Sequence, residues 1–210
     1  MNQIFNFFFG QYYEYDTIDV VLEIIAVIFG FLSVWYSKQN KIWVFPTGMI
    51  STLIFVYLLL KWGLLGDMMI NAYYFIMSVY GWYIWTRKVD SQHVTPISQT
   101  TNKEKKISII IFISTLLFVC IVYQIFDKWT GWVAYVDTVT TAIFFVGMWL
   151  MARRKIENWI LWIIGDVISV PLYFYKGFTF TSFQYLGFTV IAIYGYLEWK
   201  KHLNNNLQTV

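Results

Sequence analysis

Thr17-Ile-Asp-Val-Val-Leu-Glu-Ile-Ile-Ala-Val-Ile-Phe-Gly-Phe-Leu-Ser-Val-Trp-Tyr-Ser37 runs without a basic residue into Lys38-Gln-Asn-Lys41. A helix rises 1.5 Å per residue, so about 20 apolar residues cross the hydrocarbon core of a bilayer. The run therefore reads as a membrane span with a basic flank at one end. Six further runs read the same way: Ile42 to Leu60, Leu64 to Trp85, Ile107 to Phe126, Trp132 to Met151, Glu157 to Tyr175 and Phe180 to Trp199. Hydrocarbon offers no partner to an unpaired peptide group, so all seven are predicted to be α-helices. The composition agrees, with 59% hydrophobic and only 13% charged residues, against about 25% charged in a soluble domain. The predicted fold class is an all-α membrane protein of seven transmembrane helices.

The net charge of +3 does not point to nucleic acid, because the basic residues sit in short loops between apolar runs and form no patch. Cys120 lies inside an apolar run, which leaves no disulfide or cysteine metal site. His93 and His202 are isolated in polar segments and suggest neither a metal pair nor a catalytic base. There is no glycine-rich phosphate loop ending in Lys-Ser or Lys-Thr, and no nucleophile beside a base. No enzyme, cofactor or metal is expected. Met1 to Asp19 lacks a basic n-region and a small-residue cleavage site, so a cleaved signal peptide is not read there.

With the N-terminus outside, Lys38, Lys41, Arg87, Lys88, Lys103, Lys105, Lys106, Arg153, Arg154, Lys155, Lys200 and Lys201 all fall inside. Only Lys61, Lys128 and Lys176 fall outside. The positive-inside rule then predicts an external N-terminus and a cytoplasmic C-terminus. Residues 1–16 read as an external segment, 87–106 as a mobile cytoplasmic linker, and 201–210 as a disordered cytoplasmic tail.

Two stretches resemble each other. Lys61-Trp62-Gly63 matches Lys176-Gly177, and from there the register holds at a spacing of 114 residues. Gly63 falls on Gly177, Tyr80-Gly81 on Tyr194-Gly195, and Trp85 on Trp199. Asp19 and Asp137 each stand near the outer end of a helix that runs into a basic loop. A duplication is expected, with residues 17–86 and 132–200 as three-helix repeats and 107–126 as a linking helix. An odd linking helix makes the repeats parallel, a 3+1+3 arrangement that places substrate near mid-membrane between them.

A carboxylate at the bilayer centre costs about 2.5–3.5 kcal/mol, so polar residues kept there ask for a reason. Asp166 stands mid-helix in Trp162-Ile-Ile-Gly-Asp166, and Trp162 shares its face at a spacing of four. Asp67, Asn71 and Tyr74 form a second stripe, Asp137 with Thr140 and Thr141 a third, and Glu23 lies one turn below Asp19. These groups could merely tie helices together, at roughly 1 kcal/mol apiece. An aromatic-lined cavity with a carboxylate instead suits a flat, positively charged ring. Candidate substrate-binding residues are Trp162, Asp166, Asn71, Asp137, Thr141 and Tyr74.

Tyr80-Gly-Trp-Tyr-Ile-Trp85, Asp137, and Arg153-Arg-Lys-Ile-Glu-Asn-Trp159 leading into Trp162-Ile-Ile-Gly-Asp-Val-Ile-Ser169 resemble the PnuC-type family of bacterial vitamin transporters. The likeness runs from Thr17 to Lys201. It implies a 3+1+3 homotrimer in the bacterial inner membrane. Such a protein imports nicotinamide riboside by facilitated diffusion, and cytosolic phosphorylation traps the substrate. The family often carries Asn at the position of Asp166 and Gln at that of Asn71. Sister groups of the fold carry thiamine, deoxynucleosides or flavins. An intramembrane enzyme or a non-transporting subunit of a larger complex is the alternative from another class.

The charge distribution generates the first prediction. Cysteines introduced singly at Gln11 and Gln92 should react with an impermeant thiol reagent from opposite sides of the membrane. Reaction of both from one side would break the seven-span map.

Overall fold

In the structure, a computed structural model, residues 16–63, 65–87, 95–127, 129, 131–175 and 179–208 are described. They form seven helices: α1 Thr17–Lys38, α2 Val44–Lys61, α3 Leu65–Thr86, α4 Asn102–Ile125, α5 Trp132–Ala152, α6 Asn158–Tyr175 and α7 Thr179–Gln208. Five of them (α1, α2, α4, α5 and α6) are long and apolar enough to cross a membrane. α3 and α7 are as long, but Asp67, Asn71 and Gln184, with their tyrosines and threonines, lower their mean hydropathy. Consecutive helices pack together within α1–α3 and within α4–α7, and α1 meets α7 while α3 meets α5.

The turns after α1 and after α5 are built alike. Lys41 N–H donates to the Tyr36 carbonyl at 3.0 Å, and Lys155 N–H donates to the Leu150 carbonyl at 2.9 Å. Asn40 (φ 56°) and Arg154 (φ 60°) both take the left-handed conformation that ends a helix. Asparagine accepts that conformation readily, whereas for arginine it carries a cost. At Arg154 the side chain offsets the cost: its Nε and Nη2 donate to Asn40 Oδ1 at 3.0 and 2.7 Å. Nη1 donates to the Thr95 carbonyl, and the guanidinium lies 4.4 Å over the Trp85 ring. Burial pushes the guanidinium down to about 10, which leaves it charged at neutral pH.

The same spacing recurs in the packing. Trp85 Nε1 donates to the Met151 carbonyl at 3.3 Å, and Trp199 Nε1 donates to the Ser37 carbonyl at 3.0 Å. The two indoles meet at 5.7 Å. Phe45 packs edge-on to Trp85 at 5.0 Å, and Trp159 packs edge-on to Trp199 at 5.6 Å. Each of those outer rings sits on a glycine, Phe45 on Gly81 and Trp159 on Gly195. These contacts form the core, at the end of the bundle that carries the basic residues.

Three expectations change here. The linker does not stay mobile over its described part: Ile97 is buried, Ser98 N–H donates to the Arg154 carbonyl and Ile156 N–H to the Ser98 carbonyl. An apolar side chain and a short backbone pairing dock it beside the α5–α6 turn. The linking helix begins at Asn102 rather than 107, because Thr101 and Glu104 close a capping box. Glu104 also pairs with Arg153 and Lys155 at 3.0 and 3.1 Å. The tail is helical to Gln208, since nothing in Lys200–Gln208 breaks a helix already propagating. The external segment 1–16, apart from Asp16, and residues 88–94 of the linker lie outside the described residues.

Glycine at 81 is a steric requirement, since a β-carbon there would stand 2.2 Å from Phe45 Cε1. Gly81→Ala should lose about 1–3 kcal/mol through overpacking, read as a lower melting temperature in detergent. Adding Phe45→Leu should recover part of the loss. An unchanged melting temperature for the single variant would contradict this packing.

Candidate functional site

Above the tryptophan layer the halves part around a cavity of about 350 Å³, within the usual range for small-molecule sites. Every helix except α4 contributes to its wall. The stripe spacing of three and four explains which residues face it. On α6 these are Trp159, Trp162 and Asp166, on α3 Asn71, Tyr74 and Ser78, and on α5 Phe144, Met148 and Met151.

Trp162 stands in an aromatic corner. Phe144 stacks on it at 5.4 Å with 28° between the planes, and Tyr74 meets it edge-on at 6.4 Å. Phe144 also lies nearly parallel to Tyr185 of α7 at 6.1 Å. Gly165 makes the corner possible, because a β-carbon there would fall 2.3 Å from the Phe144 ring. Asp166 is 3% exposed and is the one charged residue in the wall among the described residues. It has no hydrogen-bond or ion-pair partner among them. A carboxylate facing an aromatic cavity in low dielectric favours a cation or a hydrogen-bond donor.

Of the six candidates, Trp162, Asp166, Asn71 and Tyr74 line this cavity, and Asp137 and Thr141 do not. Asp137 and Thr141 share the α5 stripe with Phe144, Met148 and Met151, but they stand further towards the opposite end. Tyr123 of α4 and Tyr173 of α6 approach Asp137 and Asp67 there. Depth separates these residues from the cavity, and helix periodicity carries no information on depth. Beside the cavity residues Tyr74 and Phe144, Tyr73 holds α3 to α5, with its hydroxyl donating to the Phe145 carbonyl at 2.9 Å and its ring stacked on Phe145 at 3.9 Å.

The sequence reading missed a second wall. Ser33 and Ser37 of α1, Ser51 and Thr52 of α2 and Ser78 of α3 all border the cavity. Hydroxyls spaced by four in otherwise apolar helices were the available signal. Serine and threonine satisfy their protons within a helix, so that signal is weak.

Residues 20–201 match the model of a family described as the nicotinamide mononucleotide transporter. The nicotinamide riboside transporter PnuC of Escherichia coli is 23% identical, over 85% of this chain and 84% of its own length. That of Haemophilus influenzae is 27% identical, over 93% and 86%. The riboflavin/roseoflavin transporter RibM of Streptomyces davaonensis is 23% identical, over 84% and 83%. A crystal structure of the vitamin B3 transporter PnuC superposes with a TM-score of 0.65 at 21% identity, covering 90% of this chain and 84% of that one. Shared fold and a family match over most of the chain meet at one cavity walled by six helices: the chain belongs to the nicotinamide mononucleotide transporter family.

Proposed function

We propose that the chain is a multi-pass carrier of the bacterial inner membrane that admits nicotinamide riboside by facilitated diffusion. The observation that carries the reading is Asp166, a buried carboxylate beside Trp162 in a cavity with no basic residue in its described wall. Nicotinamide riboside presents a flat ring with a fixed positive charge. Trp162 stacks on the ring, Asp166 balances its charge, and Asn71 and Tyr74 hydrogen-bond its polar groups. Asp67 and Asp137, towards the far end, favour the approach of a cation by their field. Asp137 and Thr141 act on the path into the cavity rather than at its centre.

The recurrence of contacts at 114 residues supports two parallel repeats, α1–α3 and α5–α7, joined by α4. The clustering of basic residues at one end supports a cytoplasmic C-terminus and an external N-terminus. Three copies associate, with α4 and its exposed Ile109, Ile113 and Leu117 towards lipid or a neighbouring copy. The sequence carries no glycine-rich phosphate loop for ATP, and in this reading the chain equilibrates its substrate. Phosphorylation in the cytosol then traps the riboside for NAD synthesis. A second reading, another cationic aromatic vitamin with thiamine first, is favoured by the carboxylate at 166.

Two expected outcomes test this. A desolvated cation–π contact is worth about 2 kcal/mol, and loss of a close charge partner costs a similar amount or more. Asp166→Asn should therefore weaken nicotinamide riboside roughly tenfold or more in equilibrium binding and leave a neutral nucleoside nearly unchanged. Trp162→Ala should weaken both. Binding of the riboside by Asp166→Asn as tightly as by the parent would remove the charge-pair role and turn attention to thiamine. In liposomes the parent should bring internal substrate only to the external level. Enclosing a riboside kinase with ATP should restore net uptake. Accumulation above the external level that an ionophore abolishes would refute facilitated diffusion.

A further inference from the structure

The two walls of the cavity differ in what they offer a ligand. The α5–α7 wall brings Phe144, Trp162, Asp166, Tyr185 and Phe188. The α1–α3 wall brings the phenol of Tyr74 and five serine and threonine hydroxyls, and the protons of four of these five are committed to backbone carbonyls. Ser33 Oγ donates to the Val44 carbonyl at 2.7 Å, and Ser51 Oγ to the Ala26 carbonyl at 2.8 Å. Thr52 Oγ1 donates to the Gly48 carbonyl at 2.8 Å, and Ser78 Oγ to the Tyr74 carbonyl at 2.8 Å. A carbonyl can only accept, so each hydroxyl must spend its single proton there. What remains towards the cavity is its lone pairs.

These oxygens are gathered, and Gly48 gathers them. A β-carbon on Gly48 would stand 3.0 Å from Ser33 Oγ and 3.4 Å from Ser78 Oγ, and one on Gly30 would stand 3.2 Å from Ser51 Oγ. Three helices thus bring acceptors around bare glycine backbone. At the positions 114 residues on, the other half has Gly147, Gly165, Asp166 and Ala192 in place of Ser33, Ser51, Thr52 and Ser78. Only one side of the cavity is equipped in this way.

We propose that this acceptor wall selects the substrate's second half: it requires O–H or N–H donors beside the flat ring, as on a ribosyl or ribityl group, and rejects the bare ring. Buried acceptors facing an apolar ligand would lose hydration without replacement. The ring lies against Trp162 and the polyol against Ser33, Thr52 and Ser78. The inference rests on the reading of the cavity as the transport site for a flat-ring vitamin.

Thr52 and Ser78 are the residues to change. Their bonds stay within one helix, whereas Ser33 and Ser51 tie α1 to α2. The purified full chain is titrated with two pairs of ligands: nicotinamide riboside against N-methylnicotinamide, and riboflavin against lumiflavin. The parent should bind the hydroxyl-bearing member of at least one pair more tightly. Thr52→Val and Ser78→Ala should each weaken that member by about two- to tenfold, the worth of one neutral hydrogen bond. They should leave the hydroxyl-free member within about twofold, and Thr52→Ser should restore parental binding. Equal affinity within each pair, or equal weakening of both members by the variants, would overturn the acceptor wall and leave the transport reading standing. Selective binding of riboflavin with no binding of the riboside would overturn the nicotinamide reading and keep the wall. Binding of none of the four would overturn both.

Discussion

Two indole N–H groups fasten the two halves of the molecule to each other at its basic end. Trp85 reaches from α3 to a carbonyl at the end of α5, and Trp199 reaches from α7 to a carbonyl at the end of α1. Both carbonyls belong to helix C-termini, where the last four acceptors have no intrahelical donor. Each of the two carbonyls already accepts a turn N–H of its own half, Asn40 N–H at Ser37 and Arg154 N–H at Met151, and its remaining acceptor capacity takes an indole N–H from the other half. An unpaired donor in a water-poor interior would cost several kcal/mol, so the halves cannot separate at this level without finding replacements. Arg154 lies on the same joint, stacked on Trp85 and bonded to Asn40. Glycines at 81 and 195 allow the outer rings of Phe45 and Trp159 to support the indoles from either side.

Because the halves are fastened at the basic end, they need not pack closely further up. The cavity lies directly above the joint, with Ser37 and Met151 shared between its floor and the tryptophan layer; Ser37 Oγ donates to Met151 Sδ at 3.4 Å. Towards the opposite end the chemistry is different, a layer in which Asp67 and Asp137 meet Tyr123 and Tyr173. A carrier has to open one boundary while the other holds. Here the basic end is fixed by charge-assisted and indole hydrogen bonds, whereas the opposite end carries acidic and phenolic groups, so different perturbations act on each.

The docked linker adds to the joint. Ile97, Ser98 and Glu104 pack against the turn that presents Arg153, Arg154 and Lys155, and Glu104 pairs with two of those cations. The left-handed backbone at Arg154 is thus held from both sides. The connection between the halves works as a brace for the turn on which the basic-end contacts converge, as well as a tether.

The sequence by itself determined the seven helices, the clustering of basic residues and the 114-residue register. It also placed Trp162 with Asp166 on one face of α6. Each of these follows from local rules: length against the bilayer, charge near helix ends, and the 3.6-residue period. The same rules put Asp137 and Thr141 on the correct stripe of α5 but could not place them along the bundle axis. Axial offset between helices is set by side chains from distant parts of the chain, here rings seated on glycines. The tertiary structure alone therefore decided that the cavity stops short of Asp137, and that α4 stays out of its wall. It alone also turned five dispersed hydroxyls from three helices into one surface. The Thr-x-x-Glu spacing of the Thr101–Glu104 capping box stood in the sequence but the reading of 87–106 as a linker missed it, whereas the burial of Ile97 left no local trace. A lone isoleucine in a polar segment gains a hydrophobic site only when another part of the chain supplies one.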